Sequence, residues 1–171
     1  SIIKVTATDG TPREFDDEVN SSGGLKDCYF STNKKYVCLV FRDAKHNNPA
    51  NKERLEIICG LYKQRIFQEA GGEYWKNLFV WPEHVFVWNG KLGITSAFYD
   101  SKFFFSSGRF KGQEKEGKWF ASAKLRNKFI EPEHEGTFSS NILMCLKIAR
   151  AVRRMHAAGL AHSDLSYKNI L

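Results

Sequence analysis

The sequence predicts an α+β fold, with antiparallel strands in its N-terminal half and helices in its C-terminal half. Asn89 and Gly90 form a two-residue turn signal between two apolar runs, which is typical of a β-hairpin. Apolar residues recur at helical spacing over about 48–70 and again over about 140–158, and a glycine follows each segment. A chain of 171 residues is long enough for one domain or a small two-lobed unit.

Composition limits the classes of protein to which this chain can belong. Apolar residues make up 42% of the sequence and aromatic residues 14%, which is enough to fill a core and excludes a disordered chain. No apolar run approaches the roughly 20 residues that span a bilayer, and the N-terminus lacks a signal-peptide layout. We therefore expect a cytoplasmic protein with no membrane partner. The cysteines are scattered without metal-ligand spacing and are expected to be buried thiols: Cys28, Cys38, Cys59 and Cys145.

The formal net charge is +7, but the basic residues do not form an uninterrupted patch. Five lysines and one arginine lie between residues 111 and 128. Glutamates lie among them and continue after them up to residue 135. This pattern favours a solvated mixed-charge surface and argues against nucleic acid as a partner. A basic excess also suits a protein that handles polyanionic nucleotides or acidic partners.

Two strands are predicted in the first 43 residues, and polar turns bound them. Residues 1–20 favour a strand followed by a polar turn, and residues 34–43 favour a strand rich in β-branched and aromatic residues. Because side chains alternate across a strand, Cys38, Val40 and Arg42 are expected to share one face.

Between these strands lies a glycine pair, Gly23 and Gly24. One interpretation is an ordinary hairpin turn. The other is a turn whose backbone amides approach phosphate oxygens, with Lys26 adding a cation.

The helices are predicted from apolar periodicity and from end signals. Pro49 suits the first turn of the helix over 48–70, which glycine ends at 71. Residues 103–105, all phenylalanine, are expected in the core, and a short helix is expected over about 119–129. The helix over 140–158 is expected to bury one stripe: Ile142, Cys145, Ala149, Val152 and Met155.

A polar loop follows that last helix. It carries His162, then Asp164 two residues on, then Asn169 after five more. A carboxylate there can accept a proton from an attacking hydroxyl, and an amide oxygen can ligate a divalent ion.

This loop resembles the protein-kinase catalytic loop H-R-D-L-x-x-x-N. The preceding family pattern L-H-x-x-G-[IV]-x-H is matched by Met155, His156, Gly159, Leu160 and His162. The chain is thus similar to the protein kinase superfamily. Its D-L-S in the loop and its triple phenylalanine are most similar to bacterial kinases encoded near tellurite-resistance and phosphatase genes.

The resemblance implies a protein-kinase-like α+β fold. Residues 1–100 would form the N-lobe, an antiparallel sheet with one helix, and the hinge. Residues 101–171 would form the first helices and the catalytic loop of a helical C-lobe. The chain stops before any D-F-G, so we expect an incomplete catalytic domain that is inactive by itself.

The resemblance also implies ATP and Mg²⁺ as cofactors, with site residues in the loop. Asp164 would accept the substrate hydroxyl proton, and Asn169 would ligate magnesium. Lys168 would stabilise the charge on the transferred phosphoryl group, and the alternative is a solvated surface lysine. Leu171 would lie under the adenine, and His162 would brace the loop.

In the N-lobe, the resemblance assigns a nucleotide-binding set: Gly23, Gly24, Lys26, Val40, Arg42 and Glu56. Val40 would cover the adenine, and Arg42 stands where the family has a phosphate-binding lysine. Arginine binds phosphate through a planar fork, which is a departure from that pattern. Lys34 or Lys35 would then compensate for the missing phosphate-binding lysine. Glu56, or else Glu53, would pair with the strand cation.

The implied function is an ATP-dependent protein serine/threonine kinase acting on a protein substrate. The first alternative is a pseudokinase, a nucleotide-binding regulatory scaffold, which Arg42 and the missing G-x-G-x-x-G spacing favour. The second is a small-molecule phosphotransferase with a related loop. Ser163 replaces the arginine of H-R-D, so switching by a phosphorylated activation loop is not expected.

Overall fold

The computed structural model describes residues 1–68 and 71–171 of the chain. It divides into two units, Ser1–Phe98 and Tyr99–Leu171. The first contains antiparallel sheets with short helices, and the second is mainly helical. The predicted α+β class is confirmed at this level.

The first unit contains two antiparallel sheets. A hairpin of β1 and β2 precedes a five-stranded sheet with the strand order β3-β4-β5-β7-β6. The expected strand and polar turn over 1–20 is therefore a complete hairpin. The strands are β1 Ile2–Thr6, β2 Pro12–Asp16, β3 Ser21–Ser22, β4 Lys26–Phe30, β5 Tyr36–Phe41, β6 His84–Trp88 and β7 Lys91–Ala97.

The Asn89–Gly90 turn joins β6 to β7, as the sequence predicts. Both residues have positive φ, 50° for Asn89 and 71° for Gly90. Such angles match the right-handed twist of the strands that a two-residue hairpin joins.

The five-stranded sheet buries a different cluster on each face. The N-terminal hairpin covers one face, where its Phe15 packs in a core with Tyr29, Cys38, Val40 and Phe86. On the opposite face, Val85, Leu92 and Ile94 form a second core, against which Leu39, Phe41, Leu55 and Cys59 pack. Alternation along β5 thus sends even-numbered residues to the hairpin and odd-numbered residues to the other core.

A helical segment connects β5 to β6. It comprises α1 Pro49–Ile57, a π-helical turn Ile58–Tyr62 and α2 Lys63–Phe67, and a short α3 follows at Gly72–Lys76. The Asn48 side chain accepts a hydrogen bond from the backbone of Asn51 at 2.9 Å, which caps α1. The predicted helix is confirmed over its described length, and residues 69 and 70 lie outside the described residues.

The second unit contains α4 Lys118–Ala121, α5 Ala123–Phe129, α6 Pro132–Glu135 and α7 Phe138–Ala157. The single helix predicted over 119–129 is broken at Ser122. This residue is extended, and its hydroxyl caps α5 by accepting from the Leu125 N–H at 3.3 Å. Phe105 packs in a core with Trp119 and Ile130, so this part of the phenylalanine run is buried as expected.

The predicted buried stripe of α7 is wrong. Ile142 is 55% exposed, and Cys145 and Ala149 are exposed as well. Within α7, every residue of which is described, no side chain is fully buried. The other two predicted residues, Val152 and Met155, are half-buried, on a side that also includes Met144, Ile148 and Ala151. Since α7 carries apolar residues on two sides, periodicity alone could not select the side that packs.

The expectation of four buried cysteines holds for Cys38 alone. Cys28 and Cys59 are half-buried, and Cys145 is exposed on α7. In the described residues, no helix has the length and apolar character needed to cross a membrane.

Candidate functional site

The candidate catalytic loop begins where α7 ends. Gly159 has φ of 90°, and the backbone N–H of Leu160 donates to the Met155 carbonyl at 2.9 Å. This left-handed glycine ends the helix, as the sequence predicts. The chain then runs to a 3₁₀ turn over Tyr167–Asn169.

The structure brings Asp164 and Asn169 together. Asn169 Nδ2 donates to the backbone carbonyl of Asp164 at 2.6 Å, and the Asn169 N–H donates to the Ser166 carbonyl at 3.0 Å. The amide nitrogen of Asn169 is thus used to brace the loop. Its Oδ1 atom keeps its lone pairs for another ligand.

Ser163 precedes Asp164 with φ of 63°, a left-handed conformation that is uncommon for a residue other than glycine. Such conformations concentrate at functional sites, where the surrounding structure must hold them. The Asp164 residue is exposed, so its carboxylate is open to solvent.

Gly117 is a loop-positioning residue that the sequence analysis missed. Its N–H donates to the carbonyls of Tyr167 and Ile170, both at 2.9 Å. A Cβ atom at this position would lie 3.2 Å from the Tyr167 carbonyl oxygen. Gly117 therefore holds the Tyr167–Asn169 turn through a contact that a side chain would disturb. No local sequence pattern indicates this, because the two segments are far apart in the chain.

The other predicted loop residues are accessible to different degrees. His162 and Lys168 are exposed, and Leu171 is half-buried. In the part of the chain that the structure describes, Lys168 has no ion-pair partner. Both its predicted charge-stabilising role and a plain surface role are compatible with this placement.

The loop offers oxygen donors suited to magnesium but does not form a complete metal cage. Among the described residues, no group of three or more His, Cys, Asp and Glu side chains could hold a metal ion. Mg²⁺ commonly takes one or two protein oxygens, with phosphates and water as its other ligands. The Asn169 Oδ1 atom is an oxygen of the kind that this mode uses.

In the first unit, Gly23 and Gly24 lie in the turn between β3 and β4. The Gly23 N–H donates to the Lys26 carbonyl at 2.9 Å. Neither glycine has positive φ, and a Cβ atom on Gly24 would meet no atom within 4 Å. The conformation of the turn therefore does not require glycine at residue 24. The absence of a side chain there leaves room for a ligand to approach the backbone closely.

Of the predicted set of Val40, Arg42 and Glu56, the first two share one face of the sheet, and Glu56 lies on the helix that packs against the other face. Val40 is 2% exposed in the core beneath the N-terminal hairpin, so it is not available to cover an adenine ring. Arg42 Nε lies 2.9 Å from Oδ1 of Asp27, and that carboxylate is the ion-pair partner of Arg42. Glu56 is exposed on α1, which packs through Leu55 against the other face of the sheet.

Lys26 lies at the start of β4, directly after the glycine turn. It is half-buried, and its Nζ atom is 5.2 Å from the centroid of the Phe41 ring. Lys34 and Lys35 lie in the turn between β4 and β5, at the opposite end of β4. Two of the predicted N-terminal cations are therefore beside the glycine turn: Lys26, and Arg42, whose backbone N–H donates to the Leu25 carbonyl at 3.0 Å.

No protein-family model, no curated protein and no solved structure matches this chain. Its function must therefore be argued from its own residues, chiefly the braced loop at Asp164 and the glycine turn beside Lys26.

Proposed function

We propose that this protein is an ATP-dependent protein kinase that phosphorylates serine or threonine hydroxyls of a protein substrate. The observation that carries the proposal is the hydrogen bond from Asn169 Nδ2 to the Asp164 carbonyl. It ties the Asn169 side chain to the backbone of Asp164, so that an exposed carboxylate and an amide oxygen lie in one short loop, and phosphoryl transfer uses both groups.

In the proposed reaction, the Asp164 carboxylate accepts the proton of the substrate hydroxyl as that oxygen attacks the γ-phosphorus. The bond from the γ-phosphorus to its bridging oxygen breaks, and ADP leaves. Asn169 Oδ1 would hold Mg²⁺, which neutralises phosphate charge when bound. Lys168 offsets the charge on the transferred group, and Gly117 positions the turn that carries Lys168 and Asn169.

The order of elements in the first unit supports the same proposal. A glycine turn, two strands, a helical segment and a hairpin follow one another, and the family resemblance likewise places the glycine turn before the strand cation and its helix. We also propose the cytoplasm, where ATP and reduced thiols are available, as the place of action.

A pseudokinase is the second candidate, and one observation favours it. Arg42, at the position of the family's phosphate-binding lysine, is paired with Asp27 on the face opposite α1. If no other cation binds the phosphates, the protein would bind a partner without transferring phosphate.

Transfer of labelled γ-phosphate from Mg-ATP by the full-length protein tests the proposal. We expect Asp164→Ala to lower the transfer rate by about 100-fold or more, because the proton acceptor is lost. The matched control is Glu18→Ala, which removes an exposed carboxylate far from the loop in sequence and should leave the rate unchanged.

Three results would contradict the kinase proposal. Full transfer by the Asp164→Ala variant would remove Asp164 from the mechanism. Nucleotide binding without any transfer by the wild-type protein would favour the pseudokinase. Phosphate on a small alcohol, with none on protein, would indicate a small-molecule phosphotransferase.

A further inference from the structure

We infer that Lys26, and not Arg42, is the strand cation that binds the nucleotide phosphates, and that the nucleotide lies on the α1 side of the sheet. The inference rests on the proposed function, and it changes which strand and which face of the sheet form the phosphate site.

The strand register separates the two cations. In the β4–β5 ladder, Lys26 is paired with Phe41, and Asp27 is paired with Val40. Paired residues project to the same face of a sheet, and neighbours along a strand project to opposite faces. Phe41 packs against the core that contains Leu92, whereas Val40 belongs to the core beneath the N-terminal hairpin. Lys26 is therefore on the α1 face.

Arg42 is held on the other face by a shared carboxylate. Oδ1 of Asp27 receives both the Arg42 guanidinium at 2.9 Å and the Ser22 hydroxyl at 2.7 Å. The Asp27 side chain is only 20% exposed. If Arg42 turned to a phosphate, it would leave a largely buried carboxylate without its cation, which is costly.

Lys26 has no such competing anion. Within residues 1–68 and 71–171, it makes no ion pair, and the Phe41 ring is the group that its Nζ atom faces. Burial lowers the pKa of the Lys26 ammonium, since the charged form loses water without gaining a carboxylate. An arriving phosphate would restore a counter-charge to this amine, so binding is favourable.

The glycine turn places further phosphate donors beside Lys26. The turn over 23–26 ends on Lys26 itself, through the hydrogen bond from the Gly23 N–H to the Lys26 carbonyl at 2.9 Å. That bond uses the Gly23 N–H, whereas the Gly24 and Leu25 amides donate to no group among the described residues. Such open amides and a lysine ammonium together suit a polyphosphate. The shared end of β3 and β4 therefore supplies both parts of the site.

The test is calorimetric binding of Mg-ATP and of adenosine to the full-length protein and to two matched variants, Lys26→Met and Arg42→Met. We expect Lys26→Met to weaken Mg-ATP binding by about tenfold or more, the effect of losing one charged hydrogen bond. Its adenosine affinity should be unchanged, because adenosine has no phosphate. Arg42→Met should keep its Mg-ATP affinity within about twofold, and Lys26→Arg should recover part of the loss.

A second measurement does not depend on any variant folding. Acetylation of wild-type lysines is followed by mass spectrometry, with and without Mg-ATP. We expect Mg-ATP to slow the modification of Lys26 severalfold, adenosine to leave it unchanged, and exposed Lys4 to react equally in all samples.

Loss of Mg-ATP affinity in Arg42→Met but not in Lys26→Met would overturn the inference and leave the proposed function intact. Unchanged acetylation of Lys26 in saturating Mg-ATP would do the same. If the wild-type protein bound no nucleotide at all, both the inference and the proposed function would fail.

Discussion

Arg42 and Asp27 form an ion pair across β4 and β5, with Nε of the arginine 2.9 Å from Oδ1 of the aspartate. The pair lies on the face that the N-terminal hairpin covers, at the end of β5. Arg42 therefore ties two strands together, and its position in the sequence is explained by the sheet without a nucleotide.

Removing Arg42 should destabilise the sheet. We expect Arg42→Ala to lower the free energy of unfolding by about 1 kcal/mol, because Asp27 loses its cation while the 43% exposure of Arg42 limits the effect by solvent screening. Urea denaturation measures this. The control is Lys45→Ala, which breaks an ion pair with Asp43 that is 73% and 53% exposed and should cost less than about 0.5 kcal/mol. Equal losses in both variants would contradict the structural role of Arg42.

Asp9 should make stability depend on pH in the acid range. Desolvation raises the pKa of Asp9, but hydrogen bonds from Thr11 and His84 outweigh it and lower the pKa from 3.8 to about 2. Since the folded-state pKa is depressed, this stabilisation is present above about pH 4 and is lost as the pH falls towards 2. Its size should be below about 1 kcal/mol, because the Asp9 side chain is 51% exposed.

Urea denaturation between pH 2 and 5 tests this dependence. Asp9→Asn should show a shallower loss of stability over that window than the wild-type protein, and Glu18→Gln should follow the wild type. A slope that Asp9→Asn leaves unchanged would show that the Asp9 carboxylate contributes nothing to this pH dependence.

If the protein is the kinase proposed above, Gly117 should influence phosphoryl transfer by positioning the loop. In Gly117→Ala, the new Cβ would lie 3.2 Å from the Tyr167 carbonyl oxygen and 3.3 Å from its Cα atom. The turn must then shift by a few tenths of an ångström, and the loop with it. We expect kcat to fall about tenfold with little change in the KM for ATP. Gly60→Ala, whose Cβ would meet no atom within 4 Å, is the matched control. Equal activity in the two variants would remove the positioning role.

The cysteines should differ in reactivity towards iodoacetamide. Burial raises the pKa of Cys38 to about 12 and that of Cys59 to about 11, so their reactive thiolates are scarce at neutral pH. Cys145 is exposed on α7. We expect mass spectrometry to find Cys145 modified in the folded protein, and Cys38 and Cys59 modified only after unfolding. Rapid modification of Cys38 under native conditions would mean that the hairpin opens.

Features with local causes could be predicted from the sequence. The Asn89–Gly90 turn follows from residues that accept positive φ, and the start of α1 follows from Asn48 and its cap. The loop that joins Asn169 to Asp164 spans few residues, so its spacing indicated that the two groups would meet.

Features that depend on packing against an element far away in the sequence could not be predicted. Alternation placed Cys38, Val40 and Arg42 on one face of β5, which agrees with the structure, but it could not show that Phe15 would cover that face. The same limit applies to α7, where two apolar sides compete, and to Gly117, whose partners lie near the C-terminus of the chain.

The two faces of β5 pack against different elements, one against the N-terminal hairpin and the other against the helical segment that begins with α1. Substitutions at 36, 38 and 40 are constrained by the hairpin, whose Ile3, Val5 and Phe15 they face. Substitutions at 39 and 41 are constrained by Leu55 and Cys59 on the helical side. In an evolving lineage, adjacent positions of one strand would thus change independently of each other, each in step with a partner in a different element of the chain.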